Sequence, residues 1–234
     1  MDGAQRDHVR GEGERLRQEI LDAATRILEE TGRENALSLR GVAREVGIAA
    51  PSIYLHFKDK TELIWTVLAD AYRALAAEMA AAGEAAAAGG ADPWDRMCAT
   101  VGAYRRFAVD KPRRYRLMFS LEYEPEDRTG TDHPLGTVGQ AWAGAVETYL
   151  TAVAPERCSE AQVLGLHLWT AVHGQLVLWR SLPHPQAGSE ARLVELERSL
   201  LSRLLPQPVD GDQPRPSVEP RSCRHAGSEQ RAWS

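Results

Sequence analysis

Apolar residues recur at helical spacing along nearly the whole chain, and no stretch alternates apolar and polar residues as a half-buried strand would. Leu16, Ile20, Ala23, Ala24, Ile27 and Leu28 share one face of a helix from Arg15 to Glu30, which Gly32 ends. Next, Ser38 is a good N-cap, and Leu39, Val42, Ala43 and Val46 form the inward face of a short helix while Arg40 and Arg44 turn to solvent. Gly47 supplies the backbone freedom of a tight turn, and Ile48 points inward. Ala50-Pro51 then opens a second short helix to about Phe57, with Ile53 and Phe57 four apart as inward anchors. Asp59-Lys60-Thr61-Glu62 has the capping-box pattern with aspartate in the cap position, so another helix starts there.

From Thr61 a longer helix passes through Leu63, Ile64, Leu68, Tyr72 and Leu75, and it is expected to dissolve in the alanine and glycine run 80–91. Asp92-Pro93 restarts a helix to about Asp110, and Pro112 starts a short one holding Tyr115, Leu117, Met118 and Phe119. Residues 124–134 read as a loop, and 136–153 as a helix with Val138, Trp142, Val146 and Tyr149. The segment from about Ser159 to Ser181 is apolar on two faces and must be buried on both. Pro183-His184-Pro185 breaks the chain, and Ser189 caps a last helix with a leucine seam. The expected fold is all-α, with a mobile arm 1–12, a helix-turn-helix domain 13–60, a second helical domain 61–205 and a polar, proline-rich tail 206–234.

Charge narrows the chemistry. A net charge of −5 over 234 residues argues against coating nucleic acid nonspecifically, so any DNA contact must be local. Between residues 38 and 60 four cations, Arg40, Arg44, Lys58 and Lys60, face only two acids, Glu45 and Asp59. Three widely spaced cysteines, Cys98, Cys158 and Cys223, suit free thiols in a reducing compartment. No apolar stretch approaches the roughly 18 residues of a membrane span, and no signal-peptide core appears, so a cytoplasmic protein is expected. The seven histidines include no HExxH, and no GxSxG, P-loop or GxGxxG occurs. No catalytic residue, metal or cofactor is expected.

The order Ser38, Arg40, Val42-Ala43, Val46-Gly47-Ile48, Ser52-Ile53-Tyr54, His56-Phe57, Lys60 and Leu63, behind the helix from Arg15 to Glu30, resembles the DNA-binding domain of the tetracycline-repressor (TetR) family. It covers about residues 15–68. The resemblance implies double-stranded operator DNA as partner. It places Ser38 and Arg40 where family members touch phosphate or a base edge, and Tyr54 and His56 at phosphate-contacting positions. Lys60 matches a lysine at the start of the fourth helix, and Ala50, Pro51 and Ser52 stand where the reading helix enters the groove. A core aromatic is the competing reading of Tyr54. Ala50 is apolar in a slot that is often polar, and Gly41 weakens its helix by up to about 1 kcal/mol against alanine. Base readout would then rest on Arg40, Ser52 and methyl contacts.

A second string, Leu168-Trp169-Thr170-Ala171-Val172-His173-Gly174, with Tyr104–Phe107 and Tyr115–Phe119 upstream, resembles the effector-binding domain of TetR-like proteins with a tryptophan, histidine and glycine signature. This implies an internal pocket for a small ligand, with Tyr104, Phe107, Met118, Phe119, Trp142, Trp169 and His173 as candidates. It also implies pairing of the last two helices across a two-fold axis, with Leu164, Leu168, Val172, Trp179, Leu193, Leu196, Leu200 and Leu204 as candidates. Core packing with a hydrogen-bonded histidine is the other reading of Trp169 and His173. The expected function is a homodimeric, one-component transcriptional repressor released from its operator by a small, largely apolar ligand. A ligand-independent DNA-binding or scaffolding protein and a helical enzyme are the alternatives.

Overall fold

The structure, a computed structural model, describes residues 2–120, 134–181 and 189–207. Among them are nine α-helices and two 3₁₀ turns, Glu34–Ala36 and Pro155–Glu160, and no strand. Most of the loop expected at 124–134, the break at Pro183–Pro185, Cys223 and the tail beyond Gln207 lie outside the described residues. No helix among the described residues is long and apolar enough to cross a membrane. Cys98 and Cys158 are free thiols.

Helix α1 (Asp2–Thr31) starts well ahead of its apolar face, so the arm expected at 1–12 is helical from Asp2. A helix once nucleated by a packed stretch propagates at one hydrogen bond per residue, without needing an apolar stripe to continue. Helices α2 (Leu39–Val46) and α3 (Ala50–Ile53) follow. Helix α4 (Lys60–Ala88) runs unbroken through the alanine-rich stretch where it was expected to dissolve, because alanine is the best helix former. Gly90, left-handed at φ 81°, ends it, and the Ala91 N–H closes on the Ala86 carbonyl at 3.0 Å. Helix α5 (Pro93–Asp110) begins behind Asp92, whose carboxylate accepts from the Asp95 N–H at 2.8 Å. Helices α6 (Pro112–Ser120), α7 (Gly136–Val153), α8 (Ala161–Ser181) and α9 (Ser189–Leu204) follow among the described residues.

The chain divides into two compact units, and the division falls inside α4, after Tyr72, rather than at residue 60. Among the described residues the first unit holds 2–72 together with 111–120, so α6 groups with the helix-turn-helix. Two side-chain ties account for this. The Tyr72 hydroxyl donates to the Met118 carbonyl, and the Arg114 guanidinium pairs with Glu29 of α1. Phe119 also sets its ring edge-on to Tyr72 at 5.9 Å.

The second unit is organised by α7 against α8. Their backbones touch at Gly165, where an added Cβ would lie 2.9 Å from Ala143 Cα and N. Around that crossing Trp142, Val146 and Leu150 of α7 and Leu164, Leu168, Val172 and Leu176 of α8 are buried. Leu164, Leu168 and Val172, expected at the subunit seam, are buried within the chain's own core beside this crossing. On α9 Leu193 is buried too, Leu200 and Leu204 are half-buried like Trp179 of α8, and Leu196 is exposed.

Candidate nucleic-acid interface

The turn between α2 and α3 is built from local bonds. Ser38 has extended backbone and its Oγ accepts from the Gly41 N–H at 3.0 Å, which caps α2. A Cβ on residue 41 would sit 2.9 Å from that same Oγ, so Gly41 trades helix propensity for room for the cap. The Ser38 hydroxyl proton remains available to a phosphate. Gly47 ends α2 in the left-handed region, φ 80° and ψ 25°, which favours glycine. Arg40 and Arg44 are exposed, and Val42 and Ala43 are buried, as the spacing predicts.

Helix α3 is shorter than its sequence pattern, ending at Ile53, with Ala50 and Pro51 in its first turn. Tyr54, Leu55 and His56 continue it as tight turns, their N–H groups bonded to the carbonyls of Pro51, Ser52 and Ile53. Ile53 and Phe57 are fully buried, and the Arg17 guanidinium of α1 stacks 4.7 Å from the Phe57 ring centroid. Tyr54 is 56% exposed, which excludes the core-aromatic reading, and Ser52 and His56 are half-buried. Sequence reasoning passed over Leu55, which is 85% exposed in the middle of the reading element. Its signal was an apolar residue off the Ile53/Phe57 face.

At the start of α4 the Asp59 carboxylate accepts from the Glu62 N–H at 2.8 Å, and Glu62 reaches back to the Lys58 N–H at 2.7 Å. Lys60 stands 3.7 Å from Glu34, a loose pair with both side chains about one-third exposed, which leaves the ammonium free to exchange partners. Ser38, Arg40, Ser52, Tyr54, His56 and Lys60 thus all belong to the first unit and keep some solvent access.

In the second unit four of the seven pocket candidates come together. The Trp169 Nε1–H donates to the Tyr104 hydroxyl at 2.9 Å, and that hydroxyl lies 3.2 Å from His173 Nδ1. The hydroxyl can donate to Nδ1 or accept from it, according to the imidazole tautomer. Burial holds the His173 pKa below its ordinary value. Trp142 meets Tyr104 edge-on at 5.3 Å, and its buried Nε1–H has no hydrogen-bond partner among the described residues. Phe107 is buried on α5, one turn beyond Tyr104. Met118 and Phe119 belong instead to the first unit, on Tyr72.

Residues 20–65 match the family described as bacterial regulatory proteins, tetR family, and residues 97–201 match the tetracyclin repressor-like C-terminal domain. The HTH-type transcriptional regulators Mb1846 of Mycobacterium bovis and Rv1816 of Mycobacterium tuberculosis are each 31% identical over 121 residues. That stretch is 50% of this chain and 50% of each relative, so the chain spans about half the length of the curated relatives it matches. The crystal structure of SCO4313, described as a regulatory protein, is 30% identical with a TM-score of 0.59, covering 83% of this chain and 98% of that one. The multidrug binding protein EbrR, solved with imidazole, is 26% identical with a TM-score of 0.55, covering 84% of this chain and 98% of its own. With the capped helix-turn-helix in the first unit and the helical second unit matched on either side of α4, the chain belongs to the TetR family of bacterial regulatory proteins.

Proposed function

We propose that the chain is a one-component transcriptional repressor that binds double-stranded operator DNA as a homodimer and is released by a small, largely apolar ligand held in the second unit. The observation that carries this reading is the division of α3 and its following turn. Ile53 and Phe57 are locked into the core while Tyr54 and Leu55 between them face solvent. Tyr54, His56, Ser38 and Lys60 are suited to phosphate oxygens, and Arg40 and Ser52 to base edges. Leu55 adds an apolar surface of the kind that meets a thymine methyl. The multidrug binding of the relative EbrR favours a ligand-responsive second unit, and the Tyr104, Trp142, Trp169 and His173 cluster offers it aromatic surface with a few polar atoms.

Footprinting on DNA upstream of the chain's own gene and its neighbours tests the reading. Tyr54→Ala and Lys60→Ala are expected to weaken operator and random DNA alike, with the salt slope falling by about 1 for the lysine. Arg40→Ala and Leu55→Ala are expected to narrow the gap between operator and random DNA. Unchanged affinity and salt dependence in all four variants would remove DNA recognition by this element.

A homodimer needs an apolar surface left over after the chain has folded. Val163, Val177 and Leu178 on α8 and Leu196 on α9 supply it, with Leu178 64% exposed. We expect Leu178→Asp to give a folded monomer in light scattering, because an unpaired charge would sit in the seam. An intact dimer would place the interface elsewhere.

A further inference from the structure

A cleft of about 380 Å³ opens in the second unit between the later turns of α4, the start of α5 and α7, and it shares no residue with the Tyr104–Trp142–Trp169–His173 cluster. Its size is within the range of small-molecule sites. Two glycines shape its walls. At Gly83 an added Cβ would lie 2.6 Å from Thr100 Oγ1 and 3.9 Å from Arg96 Cγ, so glycine lets α4 approach α5 and lets the Arg96 stem lie flat along the wall. At Gly144 on α7 an added Cβ would meet nothing within 4 Å, which leaves the opposite wall bare and open. Met97 and the ring of Tyr149, both buried, give the cleft apolar surface.

Arg96 is half-buried on this cleft, and its guanidinium has no hydrogen-bond or ion-pair partner among the described residues. The group carries five donors in a fixed fork that matches a carboxylate. Its nitrogens are not among the fully buried unpaired polar atoms, so water reaches them, and a carboxylate held against the apolar walls would replace that water with charge-assisted hydrogen bonds. Glu84 also lines the cleft but is exposed and solvated, so it needs no partner. Its charge disfavours a dianionic phosphate more than a singly charged group.

We propose that this cleft binds a small amphipathic carboxylate, with the carboxylate on Arg96 and the apolar body between Met97 and the bare wall at Gly144. The site stands independently of the regulatory reading, because it is tested without DNA. Octanoate and octanol are titrated calorimetrically into the full chain. Octanoate is expected to bind at least tenfold more tightly than octanol. Arg96→Gln is expected to weaken octanoate at least tenfold and leave octanol unchanged, while Gly144→Phe, whose ring would occupy the open wall, abolishes binding of both. Helix content by circular dichroism checks that each variant is folded. Equal affinity for octanoate and octanol, no effect of Arg96→Gln, or no octanoate binding at millimolar concentration each overturns the proposal. Failure of the unliganded full chain to bind its upstream DNA in a parallel assay would count against the repressor reading and leave this one standing.

Discussion

Gly165→Ala is expected to destabilise the second unit by about 1–3 kcal/mol, and Gly165→Val by more, since overpacking a close helix crossing forces backbone to move. The added Cβ would meet Ala143 Cα and N at 2.9 Å and the Trp142 carbonyl carbon at 3.1 Å. These are backbone atoms of α7, with no rotamer to yield, so the two helices must separate and loosen the packing of Trp142, Leu168 and Val172. The control is Gly174, the glycine of the signature string, whose added Cβ meets nothing within 4 Å. Gly174→Ala is expected to be neutral or to stabilise by up to about 1 kcal/mol through helix propensity. Urea melts of both variants check this, and equal tolerance at the two positions would show that the crossing relaxes more easily than its geometry implies.

Arg105→Met is expected to be more damaging than Gly165→Ala, at about 3–5 kcal/mol above neutral pH, because it strands a buried carboxylate. The Arg105 Nε–H donates to Glu197 Oε2 at 3.2 Å, and the same guanidinium pairs with Glu190, tying α5 to the start and the middle of α9. Glu197 Oε1 is buried with no hydrogen-bond partner among the described residues. Burial pushes the Glu197 pKa from the ordinary 4.5 up to about 7, against the pull of Arg105 and Arg106 and with a push from Glu190. The folded chain therefore holds this proton more tightly than the unfolded one. The resulting stability is fully present below pH 4.5 and is lost as pH rises to about 7, beyond which it changes no further.

Glu197→Gln keeps an acceptor for Arg105 and removes the titration, so it is expected to flatten that slope and to be the more stable protein above neutrality. His173 acts in the opposite sense, because its lowered pKa costs stability as pH falls below its ordinary 6.5. The difference between wild type and Glu197→Gln, in urea melts at several pH values, isolates the glutamate. A difference that does not change between pH 4.5 and 7 would mean that the carboxyl is solvated in solution.

Much of the reading element was legible because its determinants are local. The Ser38 cap, the left-handed Gly47, the Asp59/Glu62 cap and the Ile53/Phe57 pair each act within about four residues, and each stands where the pattern predicts. The bounds of α5, α6 and α7 were legible for the same reason, with Asp92-Pro93 and Pro112 opening two of them. Where local signals were weak or conflicting the pattern erred. It placed the start of α1 too late, ended α4 too early and made α3 too long, because apolar periodicity reports packing and is silent on helix that continues without it.

What only the tertiary structure decided involves residues distant in sequence. The sequence by itself established an all-helical chain with a capped helix-turn-helix and showed that α8 is apolar on two faces. Periodicity has no means of telling which of those faces meets the chain's own α7 and which is left over, because both bury the same kind of side chain. The contact of Gly165 with Ala143 settles it, giving Leu164, Leu168 and Val172 to the core and leaving Val163, Val177 and Leu178 outside. The same holds for Arg105 with Glu197 and for the cleft at Arg96. Each depends on helices far apart in sequence meeting at a particular angle and distance, which no local pattern encodes.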